Sequence, residues 1–178
     1  MTTIEGPKEG EYLPHFSRYI ALVPEGDILS TLSKQNESTL ALLRGLSEGQ
    51  AGFRYAPGKW SIKELVAHLS DAERIFADRA LRFARADPTP LPGFEEDDYV
   101  RNGSFDRFTL EGLAAGFADV RRSTLSLLKL MPPEASLRRG KANNAEISVR
   151  ALAYVIAGHE LHHMNVLRTR YLEGGQAS

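Results

Sequence analysis

Helical periodicity is the feature that most constrains how this chain can fold. Apolar residues recur at helical spacing in four long segments, whereas no sustained alternation bounded by turn residues predicts a strand. The four predicted helices span about residues 27–46, 61–84, 109–130 and 148–172. The clearest start is at Ser61, which forms with the residue three positions later the pattern of a capping box. The sequence therefore predicts an all-α protein built as a four-helix bundle.

The connections between these helices are expected to differ in length and character. Residues 86–108 contain three prolines, two glycines and an acidic cluster, which exclude a long helix. A crossover of this length between the second and third helices allows them to run roughly parallel. We expect a bundle domain over residues 27–173, an irregular N-terminal strap at 1–26 and a flexible tail at 174–178. Residues 134–147 are expected to be a polar connection.

Charge and composition exclude several classes of function. The 178 residues carry a net charge of -1, which gives no support for a nucleic-acid or anionic-membrane partner. No apolar run approaches the roughly 18 residues that span a bilayer, and the N-terminus lacks the pattern of a signal peptide. These features predict a cytoplasmic protein. Because the chain has no cysteine, any metal site must use imidazole and carboxylate ligands.

Three histidines lie on the apolar faces of two predicted helices. His159 and His163 are four residues apart at the centre of the stripe of the fourth helix, so their Cβ atoms should be about 5–6 Å apart. His162 falls at the edge of that stripe, and the helical wheel therefore selects His163 as the second inward imidazole. His68 lies in the apolar sector of the second helix. One inward histidine alone fits an ordinary core residue, but three are explained better by one shared metal ion.

Two other motifs fit the same residues. His159-Glu160-Leu161-His162-His163 matches the HExxH pattern of zinc proteases, in which Glu160 would be the general base. Only 15 residues follow His163, and no strands are predicted, so this interpretation has little support. Glu160 and His163 also match the Glu-x-x-His of di-iron bundles. The second helix lacks the required second motif.

The chain resembles the DinB-like (DinB/YfiT) superfamily, and specifically its DinB_2 subgroup, over roughly residues 30–172. The segments that carry the resemblance are GKWSIKELVAHLSDAERIFADRALRFAR, DPTPLPGFEEDDYV and AGHELHHMNVLRTRYL. The resemblance implies a four-helix bundle with a long connection between helices 2 and 3. It also implies a metal site with one histidine from helix 2 and two from an HxxxH pair in helix 4, which here are His68, His159 and His163. Members of the family are often dimers, and characterised relatives include thiol-cofactor-dependent transferases and isomerases.

These features together predict a divalent-metal-dependent transferase or hydrolase that acts on a small molecule. Three protein ligands leave a metal position open, which favours chemistry over a purely structural ion. Zinc or nickel is the expected ion, with iron or manganese as alternatives, and a low-molecular-weight thiol is one expected substrate. The alternative is a metal-stabilised bundle without catalysis, or a small-molecule binding protein. No catalytic side chain can be named from the sequence.

Several polar residues are candidates for supporting roles. The candidates for orienting the imidazoles through their second nitrogens are Asp71, Glu73, Glu160 and His162. The alternative for each is a polar residue that faces solvent or another helix. Arg79 should point toward the bundle, where it would either bind an anionic substrate group or cap the bundle end. Residues 94–99 of the crossover are expected to border a pocket near Trp60.

The outer face of the fourth helix carries an apolar pair, Tyr154 and Leu161. An exposed pair of this kind is typical of a helix–helix contact between two copies of a chain. This pattern, together with the family resemblance, predicts a homodimer. The alternative is that the N-terminal strap covers the pair.

Overall fold

Four long helices form the bundle in the computed structural model, which describes residues 4–173 of the chain. In chain order the α-helices are α1 (Ser17–Ile20), α2 (Ile28–Arg44), α3 (Glu48–Ala51), α4 (Ile62–Ala84), α5 (Glu96–Gly103), α6 (Leu110–Lys129) and α7 (Val149–Val166). A π-helical segment, Leu167–Glu173, continues α7. The helices α2, α4, α6 and α7 pack against one another and confirm the predicted four-helix bundle. The predicted tail at 174–178 and the first three residues of the strap lie outside the described residues.

Each long helix begins where a polar side chain caps it. The N-cap side chain accepts a hydrogen bond from the backbone amide three residues later in each case, at Asp27, Ser61, Thr109 and Ser148. The Ser61 capping box is complete, as predicted. Helix α2 ends at Arg44 rather than near residue 46, because a second capping box at Ser47 starts the short helix α3.

The crossover between α4 and α6 contains local structure of its own. Its helix α5 is only eight residues long and packs against α4. The indole Nε1 of Trp60, just before α4, donates to Asp97 Oδ1 at 3.1 Å. This bond ties the first turn of α5 to the start of α4.

The expectation of a polar connection without strands at residues 134–147 was wrong. Strands β1 (Arg139–Ala142) and β2 (Ala145–Ser148) form an antiparallel hairpin. The two turn residues, Asn143 and Asn144, have φ values of 49° and 62°. Positive φ at both positions is the geometry of the tightest hairpin turns, and asparagine adopts it more readily than most residues. The Asn-Asn pair is therefore the sequence signal from which this turn could have been predicted.

The N-terminal strap packs along α7. Its short helix α1 lies against Gly158, where an added Cβ would overlap the backbone of Tyr19. Further toward the N-terminus, Glu11 accepts hydrogen bonds from the Ser148 hydroxyl and the Arg150 guanidinium, each at 2.7 Å. The strap therefore covers the outer face of α7.

The bundle interior consists of two apolar clusters with a polar layer between them. One cluster includes Leu32, Phe83 and Leu152, and the other includes Leu43 and Phe117. The buried polar residues that lie between the clusters along the helices are Gln35, Thr39, His68, Glu73, Arg121, Thr124, His159 and Glu160. No helix among residues 4–173 is long and apolar enough to cross a membrane.

Candidate metal centre

The three predicted histidines meet in the polar layer. Helix α4 supplies His68, and α7 supplies His159 and His163, one turn apart on the same face. The Nε2 atom of His159 lies 3.0 Å from Nε2 of His68 and 3.1 Å from Nε2 of His163. The three ring nitrogens all lie within 4.8 Å of one another. We call these three residues the histidine cluster.

Aromatic side chains fix the orientation of the histidine rings. The Trp60 ring centroid lies 4.7 Å from that of His68 and 6.4 Å from that of His163, with an interplanar angle of 22° in the second pair. The Tyr19 ring meets His159 edge to face at 5.5 Å. Trp60 lies just before α4, so the histidine cluster is toward the start of that helix.

Burial keeps the histidine cluster neutral at pH 7. It lowers the pKa of His68 to about 4 and that of His163 to about 3. Burial also lowers the pKa of His159 well below its usual range, and the neighbouring imidazoles lower it further. A neutral imidazole presents a nitrogen lone pair, which is the form that binds a metal ion.

The spacing of the cluster fits one metal ion. Metal–nitrogen bonds of about 2.0–2.1 Å at angles between octahedral and tetrahedral values place two ligand nitrogens about 2.9–3.4 Å apart. The two shortest Nε2–Nε2 distances, 3.0 and 3.1 Å, fall in that range. Imidazole donors suit zinc and nickel as well as iron.

A cavity of about 280 Å³ opens beside the cluster, with His68 and His159 in its wall. The strap, α4, the crossover and the β1–β2 hairpin provide the other walls. Phe94, Glu95 and Glu96 line it, which confirms that the crossover borders a pocket. The Glu96 Oε2 atom lies 3.9 Å from Nε2 of His68, and burial raises the pKa of the Glu96 carboxyl group. The open side of the cluster therefore faces a cavity with a carboxylate at its edge.

Residues 31–167 match the DinB_2 model of the DinB superfamily. The chain belongs to the DinB superfamily. A similar solved structure is YfiT from Bacillus subtilis, described as a probable metal-dependent hydrolase with an unusual four-helix bundle topology. The two share 14% identity over 95% of this chain and 93% of YfiT, with a TM-score of 0.68. A second is a DinB-like protein from Bacillus subtilis, with 21% identity over 83% of this chain and 91% of that one, and a TM-score of 0.61. No curated protein shows significant sequence similarity.

An arginine that the sequence analysis did not single out organises the polar layer of this DinB-superfamily protein. Arg121 of α6 is fully buried, and it donates from Nε and Nη2 to the Glu73 carboxylate at 2.9 and 2.8 Å. Its Nη1 donates to the Leu32 carbonyl oxygen at 2.9 Å. Nη2 also lies 2.8 Å from Glu160 Oε2, an ion-pair contact that is not aligned as a hydrogen bond. The second oxygen of Glu160 accepts a hydrogen bond from Thr39.

The candidates for orienting the imidazoles have other partners. Glu73 and Glu160 pair with Arg121 of α6 rather than with an imidazole, which is the interhelix alternative for these candidates. Asp71 pairs with Arg74 on the surface of α4 at 3.0 Å. His162 packs against the Tyr19 ring with a centroid distance of 5.3 Å.

The position of Glu160 also excludes the protease interpretation of its motif. Successive helical residues are turned by about 100°, so Glu160 points away from the face that carries His159 and His163. It is 2% exposed and lies against Arg121 and Thr39 rather than against the cavity. It cannot act as the general base for a nucleophile at the cluster.

Proposed function

We propose that this DinB-superfamily protein is a divalent-metal-dependent enzyme that hydrolyses a small molecule or transfers a group to or from it. The observation that carries the proposal is the convergence of three neutral imidazole nitrogens beside a cavity of about 280 Å³. This volume lies just below the roughly 300 Å³ at which pockets for drug-sized ligands begin, so it fits only a small substrate. The description of YfiT as a probable metal-dependent hydrolase supports the same chemistry.

In this proposal His68, His159 and His163 bind the ion, and the cavity gives access to its remaining positions. Three neutral ligands leave the ion its full charge, so it supplies Lewis acidity and lowers the pKa of a water or thiol nucleophile. Glu96 accepts the proton that the nucleophile loses. Its carboxylate lies at the cavity wall, 3.9 Å from His68 Nε2 and thus beside the histidine cluster. Trp60 and Tyr19 hold the imidazole rings and exclude water from their faces.

Hydrolysis and thiol transfer use the same arrangement and differ in the nucleophile. A low-molecular-weight thiol at this site would bind as a thiolate, which is a strong nucleophile at pH 7. Zinc or nickel is the first candidate ion, and iron or manganese the second. The cytoplasmic location and the homodimer stay predictions from the sequence. The N-terminal strap lies beside the outward Tyr154, at Gly6, which is the alternative to a dimer contact on this face.

Metal binding can be tested through Trp60, the one tryptophan of the chain. Cobalt or nickel ions absorb light and quench a nearby indole, so titration of metal-free protein should quench the fluorescence with a 1:1 end point. His159→Ala should lose this quenching, and elemental analysis should find no bound ion in the variant. The matched control is His162→Ala, three residues away and outside the cluster, which should bind one ion as the wild type does. Equal, negligible metal in wild type and His159→Ala would refute the proposal.

Catalysis is tested separately from metal binding. Wild-type protein loaded with zinc should turn over members of a panel of small esters, amides and thiol acceptors. Glu96→Gln should lower kcat about a hundredfold without changing metal content, as expected for loss of a general base. Asp98→Asn is the control, because Asp98 also lies in α5 but pairs with Arg101 and does not line the cavity. A fully metal-loaded protein without turnover on the panel would instead favour the non-catalytic alternative.

A further inference from the structure

Arg79 is a buried cation with few partners. It lies in α4 and is 6% exposed. Among residues 4–173 its guanidinium forms one hydrogen bond, from Nη2 to the Pro92 carbonyl oxygen at 2.7 Å, and no ion pair within 4.0 Å. Burial lowers the pKa of Arg79, and the charge of Asp78 offsets this only in part.

The other buried arginines of the described chain show what such a residue normally requires. Arg121 binds the carboxylate of Glu73, and Arg150 binds that of Glu11. Removing a guanidinium from water is costly unless a carboxylate or another anion replaces the lost hydration. Arg79 is buried to a similar extent, yet the described protein supplies it with one backbone carbonyl group and the face of the Phe76 ring, and with no carboxylate.

Arg79, with its unused donors, forms part of a cavity wall. Arg79 lines the same cavity as His68 and His159. None of its nitrogens is among the sealed, unpartnered polar atoms of the described interior, so its unused donors are accessible to a ligand. Phe76 separates the two ends, since its ring lies 5.9 Å from the Arg79 guanidinium carbon and 6.0 Å from the His159 ring. One cavity therefore has imidazole nitrogens at one end and a guanidinium group at the other.

We propose that Arg79 binds the anionic group, a carboxylate or a phosphoryl group, of a substrate whose reacting end lies at the histidine cluster. The planar guanidinium fork matches both groups geometrically. The location of the reacting end rests on the proposed function, whereas anion binding by Arg79 stands independently of it.

The fold limits the size and charge of this substrate. Arg79 follows His68 by 11 residues, which is about 16 Å along the axis of α4. Because helical side chains lean toward the N-terminus, the guanidinium is directed back toward the cluster, so the substrate spans less than this distance. The exposed charged side chains that line the cavity are three carboxylates, Glu95, Glu96 and Glu146, and one guanidinium group, that of Arg18, so their net charge is negative. Their charges disfavour a polyanion and favour a molecule with one anionic end.

The test uses metal-free protein, so it does not depend on the metal site. Propionate, methylphosphonate and the neutral propionamide are titrated while the side-chain Nε–Hε signals of the arginines are followed by NMR. Propionate or methylphosphonate should shift the Arg79 signal with saturation, and propionamide should not. Which of the two anions binds more tightly identifies the carboxylate or the phosphoryl group as the preferred ligand.

Variants establish that the effect belongs to Arg79. Arg79→Met should weaken binding of the preferred anion, measured by calorimetry, about tenfold or more, as expected for loss of a charged hydrogen-bond donor. Arg79→Lys should give an intermediate loss. Arg74→Met, which removes the same charge from the exposed face of α4, should leave binding unchanged. Equal binding by wild type and Arg79→Met, equal shifts with propionamide, or no Arg79 shift with either anion would overturn the proposal. Zinc stoichiometry, measured separately on each variant, reports on the metal site alone.

Discussion

Replacement of Arg121 by methionine should be among the most destabilising single changes in this protein. Methionine keeps much of the volume of the side chain and removes its charge and its donors. The change leaves the carboxylates of Glu73 and Glu160, 3% and 2% exposed, without their common cation. Only the hydrogen bond from Thr39 to Glu160 remains among the contacts described above.

The size of the loss follows from the burial of all three groups. Breaking a buried ion pair by removing one partner costs about 3–5 kcal/mol. Domains of this kind have unfolding free energies of about 5–15 kcal/mol, so Arg121→Met should lose about a fifth of the total or more. With a urea m-value of about 2 kcal/mol/M, a loss of about 4 kcal/mol lowers the unfolding midpoint by about 2 M. The measurement is urea unfolding followed by circular dichroism, with metal removed by chelation.

The control and the rescue make this prediction specific. The control is Arg122→Met, which changes the next residue. The Arg122 side chain is 77% exposed and pairs only with Asp119 among the described ion pairs. This change should lower the free energy of unfolding by less than about 0.5 kcal/mol. Adding Glu73→Gln and Glu160→Gln to Arg121→Met should recover part of the loss, because neutral amides are less costly to bury than carboxylates. A loss below about 1 kcal/mol for Arg121→Met, or no recovery in the triple variant, would refute the reasoning.

Two further predictions concern the strap. In Gly158→Ala the new Cβ would overlap the backbone of Tyr19, so the strap should separate from α7; limited proteolysis should then cut within residues 1–26 faster, and an unchanged rate would contradict this. Hydrogen bonding to Arg150 lowers the pKa of Glu11 to about 2 from its unfolded value of 4.5. The ionised Glu11 therefore stabilises the fold by at most about 3 kcal/mol above pH 4.5, and this stabilisation is lost as the pH falls toward 2. Glu11→Gln should therefore be less stable than wild type at pH 7 and equal to it near pH 2 in urea unfolding, whereas Glu5→Gln, 80% exposed, should show no such difference.

The helices and the histidine cluster could be predicted because their signals are local. An N-cap requires a short polar side chain at one position, which is why Ser61 and Thr109 mark helix starts to within one residue. An inward histidine is recognised from the spacing of its own helix. His159 and His163 could thus be selected over His162 without knowledge of what faces them.

The partners across the bundle could not be predicted in the same way. A wheel shows that Glu160 is near the interior, but its partner Arg121 lies 39 residues away on another helix. On the helical wheel Glu160 lies at the edge of the apolar stripe, and that edge is interior here because α7 is nearly surrounded. Its neighbours are α2, α4 and the strap helix α1. A helix buried on most sides has no solvent face to define its orientation, so the pattern of its apolar residues underestimates burial.

The bundle has sources of stability that do not depend on a metal ion, and this bears on the choice between an enzyme and a metal-stabilised module. Arg121 connects α2, α4, α6 and α7 through Leu32, Glu73 and Glu160. Two apolar clusters lie on either side of this layer, and the histidines between them are neutral when no ion is bound. A structural ion is normally bound by four protein ligands, whereas the cluster offers three and faces a cavity. An ion at this position would therefore add little that the fold requires, and its accessible side is explained better by a substrate that binds there.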